Sequence, residues 1–461
     1  MKRFTPIFFL LICTLTVDLF AQRSSSVTYE SLLMRSDQPN AYTSHVLLPD
    51  EDGKTTFATL FRLDFDFLPF LRVRSNMEDV PAYAEYFSPL RMGVEINHGE
   101  FRENRRRQSE GEVVYRSTYQ DTVYASSFDQ TRSRFDHAQG YIVTQLEPGQ
   151  YNYELQLTRG ESVRQASSRR VNFHVAKYEE ADTTRMMLLA DHWNDGDLFQ
   201  SRMLNFGTNV IYGQDYTVLV PLPKEDRGPY SLSITRLMPG EGVNPYPDKS
   251  FEHDISPDEL LSAGGYEFEK RDGSVYFSMN RTIPTARFAV VDIPNADFEN
   301  ARFRIAVTDN EGKNVSRLII NSQWIDMPIS LYNLDVAINM MQFIVDDQQL
   351  RELRSGSQTD RERKFREFWE QRDPTPDTEF NELMAEYYAR IDYAYANFTT
   401  PQTAGYASDQ GRAYILFGEP ENINRQLRTS GPTQEIWEYG NRTLVFEATS
   451  GFGDFKLVRE L

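Results

Sequence analysis

The spacing of apolar residues changes near Pro328, and that change limits the fold more than any other feature. Ahead of it, apolar and polar residues alternate. Phe57, Phe61, Leu63, Phe65 and Phe67 fall on one face of a strand, and Arg62, Asp64 and Asp66 on the other, which predicts one buried and one solvated side. The turn Glu147-Pro148-Gly149 leads into Tyr151, Tyr153, Leu155 and Leu157. After Gly160 a return strand carries Val171, Phe173 and Val175. Tyr216 to Pro223 reads as a strand stopped by prolines. Phe303, Ile305 and Val307 pair with a strand opened by Val315 across the turn at Asp309 to Gly312. Hairpins of this kind, with no long helix between them, predict two immunoglobulin-like β-sandwich domains at residues 22–180 and 181–328.

Beyond Pro328 the period becomes helical. Leu334, Ile338, Met341 and Val345 make one stripe, and Phe365, Phe368 and Trp369 a second. Phe380, Leu383, Tyr387, Ile391, Ala394 and Phe398 make a third. Arg351 to Lys364 reads as a solvated connection or a frayed helix end, and Thr375 with Pro376 as the start of the third helix. Strands follow at Arg412 to Gly418, Glu435 to Tyr439, Thr443 to Glu447 and Phe455 to Val458, with Gly440-Asn441 as a hairpin turn. Residues 329–461 therefore read as an α+β domain, helices first and a small antiparallel sheet after. The whole chain is multidomain and mainly β.

The amino terminus, residues 1–21, reads as a cleaved secretory signal. Lys2 and Arg3 precede the apolar run Ile7 to Val17, and Ala21 offers a small residue for cleavage. The run is too short to span a bilayer, which takes about 20 residues. Cys13 is the single cysteine, and Ile12 before it argues against lipidation. Cleavage would leave no thiol for disulfides, catalysis or metal ligation. No later segment is apolar enough to be a transmembrane helix, so the expected location is the periplasm or the cell exterior. A formal charge of -19 disfavours nucleic acid as a partner.

One stretch stands apart. Gly405-Tyr406-Ala407-Ser408-Asp409, continued by Gly411-Arg412 and closed by Gly418-Glu419-Pro420, reads as a turn, a buried strand and a second turn. Phe368-Trp369 with Arg372-Asp373-Pro374 precedes it, as do Asn381-Glu382 and Arg390. Trp437, Tyr439, Phe446 and Gly451-Phe452-Gly453-Asp454 follow. In that order these blocks resemble the GWxTD-domain family of bacterial envelope proteins, for which the resemblance implies no established activity. Tyr406 stands where the family has tryptophan and Ser408 where it has threonine, so an aromatic anchor and a hydroxyl are both kept. The two β units ahead of these blocks look like the usual upstream arrangement in such proteins.

Asp409, Arg412, Arg390, Glu382 and Asp454 could form a polar cluster with acid–base chemistry. The favoured reading is structural: Asp409 caps the turn into the strand, and the arginines pair with carboxylates beneath it. Trp369, Trp437, Tyr387 and Tyr439 are expected to pack in the core by their spacing. All six histidines lie before residue 254, which excludes a Ser–His–Asp centre or a histidine-ligated zinc at the motif. Asp191-His192 with Asp195 and Asp197 matches no complete ligand set and reads as an acidic turn. No catalytic, metal or cofactor-binding residue is expected. The expected function is non-catalytic, docking an envelope protein partner through the carboxyl-terminal module. The alternatives are a carboxylate-dependent enzyme acting on cell-surface polymers through Glu382, Asp409 and Asp454, or a carbohydrate-binding protein whose sandwiches take a glycan.

Overall fold

The computed structural model describes residues 27–33, 40–50, 53–102, 111–159, 166–167, 170–178, 184–237, 250–427, 431–449 and 454–461. The signal segment with Cys13, Gly160 and Gly451-Phe452-Gly453 lie outside the described residues. The chain is mainly β in its first part, with helices and then a small antiparallel sheet at its carboxyl-terminal end.

The first β unit is two facing sheets. One has the order Ala41–Pro49, Thr55–Asp64, His137–Leu146. The other is built on Tyr86–His98, which pairs with Val113–Ala125 on one side and Gly149–Arg159 on the other. Val171–Val175 then adds to Gly149–Arg159. Phe57, Phe61 and Leu63 pack between them against Met92, Val94, Tyr153 and Phe173.

In the second unit six strands close on themselves, and two of them make the corners. Met187–Asp195 pairs first with Tyr216–Leu222 and then, past a register shift at Leu189/Asp191, with Leu198–Met203. Leu260–Arg271 likewise passes from Ala286–Ile293 to Ser274–Asn280 through a shift at Gly264/Glu267. Strands that change sheets at bulges are how packed sheets turn corners. A five-stranded sheet, in which Arg302–Thr308 and Asn314–Gln323 form the expected hairpin, covers the outer face of Tyr216–Leu222.

The two units share a strand. Thr55–Asp64 was expected to have a solvated side, yet all ten of its residues are buried. Its second face meets the second unit: Ala58 and Leu60 join Phe199, Phe277 and Phe288 in one core. Arg62 is 2 % exposed and Asp64 1 %. They pair at 3.0 Å, and the Arg62 guanidinium lies 4.2 Å from the centroid of the Phe206 ring. Burial pushes the Asp64 carboxyl up to about 6, with Arg62 opposing the shift. Alternation alone cannot tell a solvated polar face from one paired against a second domain.

The carboxyl-terminal unit departs from four further expectations. Arg351 to Lys364 is not a loose connection. Asp346 caps the helix Asp347–Leu353 and Ser357 caps Gln358–Glu370, each through a capping box. The long helix runs Glu382–Phe398 with Asn381 as its cap, so Thr375 and Pro376 lie in the loop before it. That loop is held by the second β unit, where the Tyr212 hydroxyl donates to the Glu379 carbonyl at 2.7 Å. Leu383, expected inward, is exposed, whereas Tyr387, Tyr388, Ile391 and Ala394 are buried.

The motif departs from expectation as well. Asp409–Phe417 is a helix, not a strand. Ser408 caps it, and Gly418 at φ 79° ends it. Its apolar residues are divided between two cores: Ile415 enters the helical core and Ala413 the sheet core. The sheet has the order Asn422–Gln426, Gln434–Tyr439, Arg442–Ala448, Phe455–Glu460.

Candidate functional site

The motif is a tight crossing of backbone. The long helix stops at Thr399, whose hydroxyl donates to the Tyr395 carbonyl and accepts from the Gly405 N–H at 2.8 Å. A Cβ on Gly405 would stand 2.0 Å from the Ala394 carbonyl oxygen, and one on Gly411 would stand 1.8 Å from that of Gly405. Both positions need glycine because backbone passes over backbone. The Ser408 hydroxyl closes the crossing, donating to the Gly405 carbonyl at 2.7 Å and accepting from the Gly411 N–H at 2.9 Å.

The motif's other polar groups point in separate directions. Asp409 accepts from the Leu457 N–H at 2.9 Å, which ties the motif helix to the last strand, and Lys456 lies 3.9 Å away. Arg390 pairs with Glu386 one turn back and donates to the Ile415 carbonyl at 3.3 Å. Arg412 is exposed. Glu382 accepts from the Thr375 hydroxyl at 2.6 Å, and Asp454 from that of Thr400 at 2.9 Å. Of the two arginines expected to pair with carboxylates beneath Asp409, Arg390 does pair with one, Glu386 on its own helix, whereas Arg412 is turned to the surface. Gly418 lies under the Arg390 guanidinium and accepts from the Tyr439 hydroxyl at 3.1 Å. Pro420 is buried, and Trp437 packs on Phe398 and Phe446.

A concave site lies elsewhere, where the second β unit meets the helices. It encloses about 600 Å³, in the range of small-ligand and side-chain pockets. Trp324, Phe365 and Trp369 are buried in its wall beside Tyr212. Glu362, Glu370 and Asp373 line it as well. Glu299, 6 % exposed, is held between Arg236 at 2.6 Å and Arg366 at 3.2 Å. Tyr212, Trp324 and Phe380 stack edge-on or tilted at 5.1 to 5.8 Å and fix the two units against each other.

Comparison with protein families bears on the second half of this geometry. Residues 309–456 match the GWxTD domain. No curated protein matches the chain. The match starts in the turn before Asn314–Gln323, so it takes in the last strand of the second β unit along with the helices and most of the sheet. Within the GWxTD domain the signature builds a joint, and Asp409, Glu382, Arg390 and Asp454 each bond to a different partner. Among the described residues no three His, Cys, Asp or Glu side chains come together as a metal site.

Two features of the structure were not legible in the sequence. One is the ion-paired wall of the cleft, built by Glu299 and Arg366 from distant parts of the chain. The other is Asp392. It accepts from the Ile329 N–H at 2.9 Å and from the Tyr29 hydroxyl at 2.7 Å. Burial pushes its carboxyl up to about 6. Its signal was a lone carboxylate at helical spacing between Tyr388 and Tyr395, on the inward face.

Proposed function

We propose that this is a secreted or periplasmic envelope protein without catalytic chemistry of its own, which docks a partner protein through its GWxTD domain. The contact site is the cleft beside Trp324, Phe365 and Trp369. What carries this reading is the contrast between the two candidate sites. The signature residues are engaged in internal bonds, whereas the cleft offers an apolar wall and carboxylates from Glu362, Glu370 and Asp373. Such a surface suits a basic segment, whose aliphatic stems cover aromatic rings while its charges meet carboxylates. The basic, then apolar, start of the chain at Lys2, Arg3 and Ile7 to Val17 supports export.

Photo-crosslinking in the native envelope tests the proposal, with a photoreactive residue at Asn300 or Gln358 on the cleft rim. The expected outcome is a discrete partner that Glu370→Lys removes while the melting temperature stays unchanged. Crosslinks that survive this charge reversal, or that match those from a distant exposed position such as Tyr83, would overturn it.

A further inference from the structure

A second site on the GWxTD domain is already filled, by the other end of the chain. Tyr29–Leu33 is a helix of five residues, too short to persist alone in water. It is seated on the long helix and the motif. The Tyr29 ring is buried, 4.9 Å from the Tyr395 ring and 5.5 Å from that of Tyr406, and Leu32 packs into the same core. Two hydroxyl–carboxylate bonds cross the contact in opposite directions. Tyr29 donates to Asp392 at 2.7 Å, and Tyr406 donates to Glu30 at 2.8 Å. Each side supplies one tyrosine and one acid, so a mismatched segment would leave a buried hydroxyl or carboxyl without its partner.

We infer that the surface formed by Asp392, Tyr395 and Tyr406 is a recognition site for a Tyr-Glu helical turn, and that Val27–Leu33 is its ligand, held in cis as a separable clasp. The signature's aromatic position then has a defined task. Ser408 and the glycines close the joint, while Tyr406 receives the amino-terminal segment. The clasp brings the two ends of the chain together at the motif, and it does so independently of what the cleft binds. Because Asp392 also accepts from the Ile329 N–H, one carboxyl ties the segment, the long helix and the lead-in to the helices.

Hydrogen exchange on the full chain, read segment by segment, tests this. Wild type should show protection at Tyr29–Leu33. Tyr406→Phe and Glu30→Ala should each speed exchange there about tenfold, as expected for losing one charge-assisted bond. Glu382–Phe398 and Gln434–Tyr439 should keep their rates. The two changes combined should act no more strongly than one alone, since both remove the same bond. Any of three results would overturn the inference: free exchange of the segment in wild type, additive effects, or acceleration spread evenly through the domain. The last would make the segment part of an indivisible core.

Discussion

Gly405 leaves no room for a methyl group, because backbone atoms that cannot rotate away surround the place where its Cβ would be. Gly405→Ala is expected to cost about 3 kcal/mol, at the upper end of overpacking, and thermal unfolding of the full chain measures it. Ser408 has a milder role. Ser408→Ala removes a helix cap worth about 1 kcal/mol, and Ser408→Thr, which keeps the hydroxyl, should cost less. Asp392 adds a pH dependence. Its carboxyl is raised in the fold, from 3.8 to about 6, chiefly by burial. Its contribution to stability is therefore complete below about pH 3.8 and is lost as pH rises through about 6. Stability measured against Asp392→Asn should fall between pH 4 and 7. A difference that rises over that interval would reverse the assignment.

At the scale of elements, the segment after Asp409 shows where pattern reading fails. Tyr414, Ile415, Leu416 and Phe417 favour a strand by composition. Ser408 supplies a cap, and the long helix and the sheet supply a surface on either side, so tertiary packing overrides propensity. The capping boxes at Asp346 and Ser357 were legible in the sequence, but the charge of Arg351 to Lys364 hid them. Asp409 joins the motif helix to the last strand through one bond to the Leu457 N–H. Asp409→Ala should therefore speed hydrogen exchange in Phe455–Glu460 and leave the hairpin Gln434–Tyr439 with Arg442–Ala448 protected. Unchanged exchange in the last strand would show that the bond is not needed there.

Across the whole molecule, the strand Thr55–Asp64 decides how the β units behave. It belongs to two cores, and further bonds cross the same boundary. The Tyr141 hydroxyl donates to the Phe268 carbonyl at 2.6 Å, that of Tyr266 to the Pro49 carbonyl at 2.7 Å, and Lys270 pairs with Asp121. The two units should unfold in one calorimetric transition, and two resolved β transitions would contradict this. Arg62→Ala leaves the Asp64 carboxyl buried without its partner, so the predicted cost is about 3 kcal/mol, read as a drop in that shared transition.

Some of this was set by local order along the chain. The change of period at Pro328, the hairpins at 302–308 with 314–323 and 434–439 with 442–448, and the inward placement of Trp369, Tyr387 and Trp437 follow from spacing that a strand or helix reads directly. The signature's glycines and hydroxyl were legible as a tight turn. Tertiary structure alone decided the rest. Whether Arg62 and Asp64 face water or a second domain, whether Asp409 opens a strand or a helix, and what Tyr406 touches all depend on residues far away in sequence. Glu30 is 376 residues from Tyr406, and the Arg366–Glu299 pair in the cleft spans 67. Periodicity records which face of an element is apolar, but it carries no information about which distant surface arrives to cover the other face.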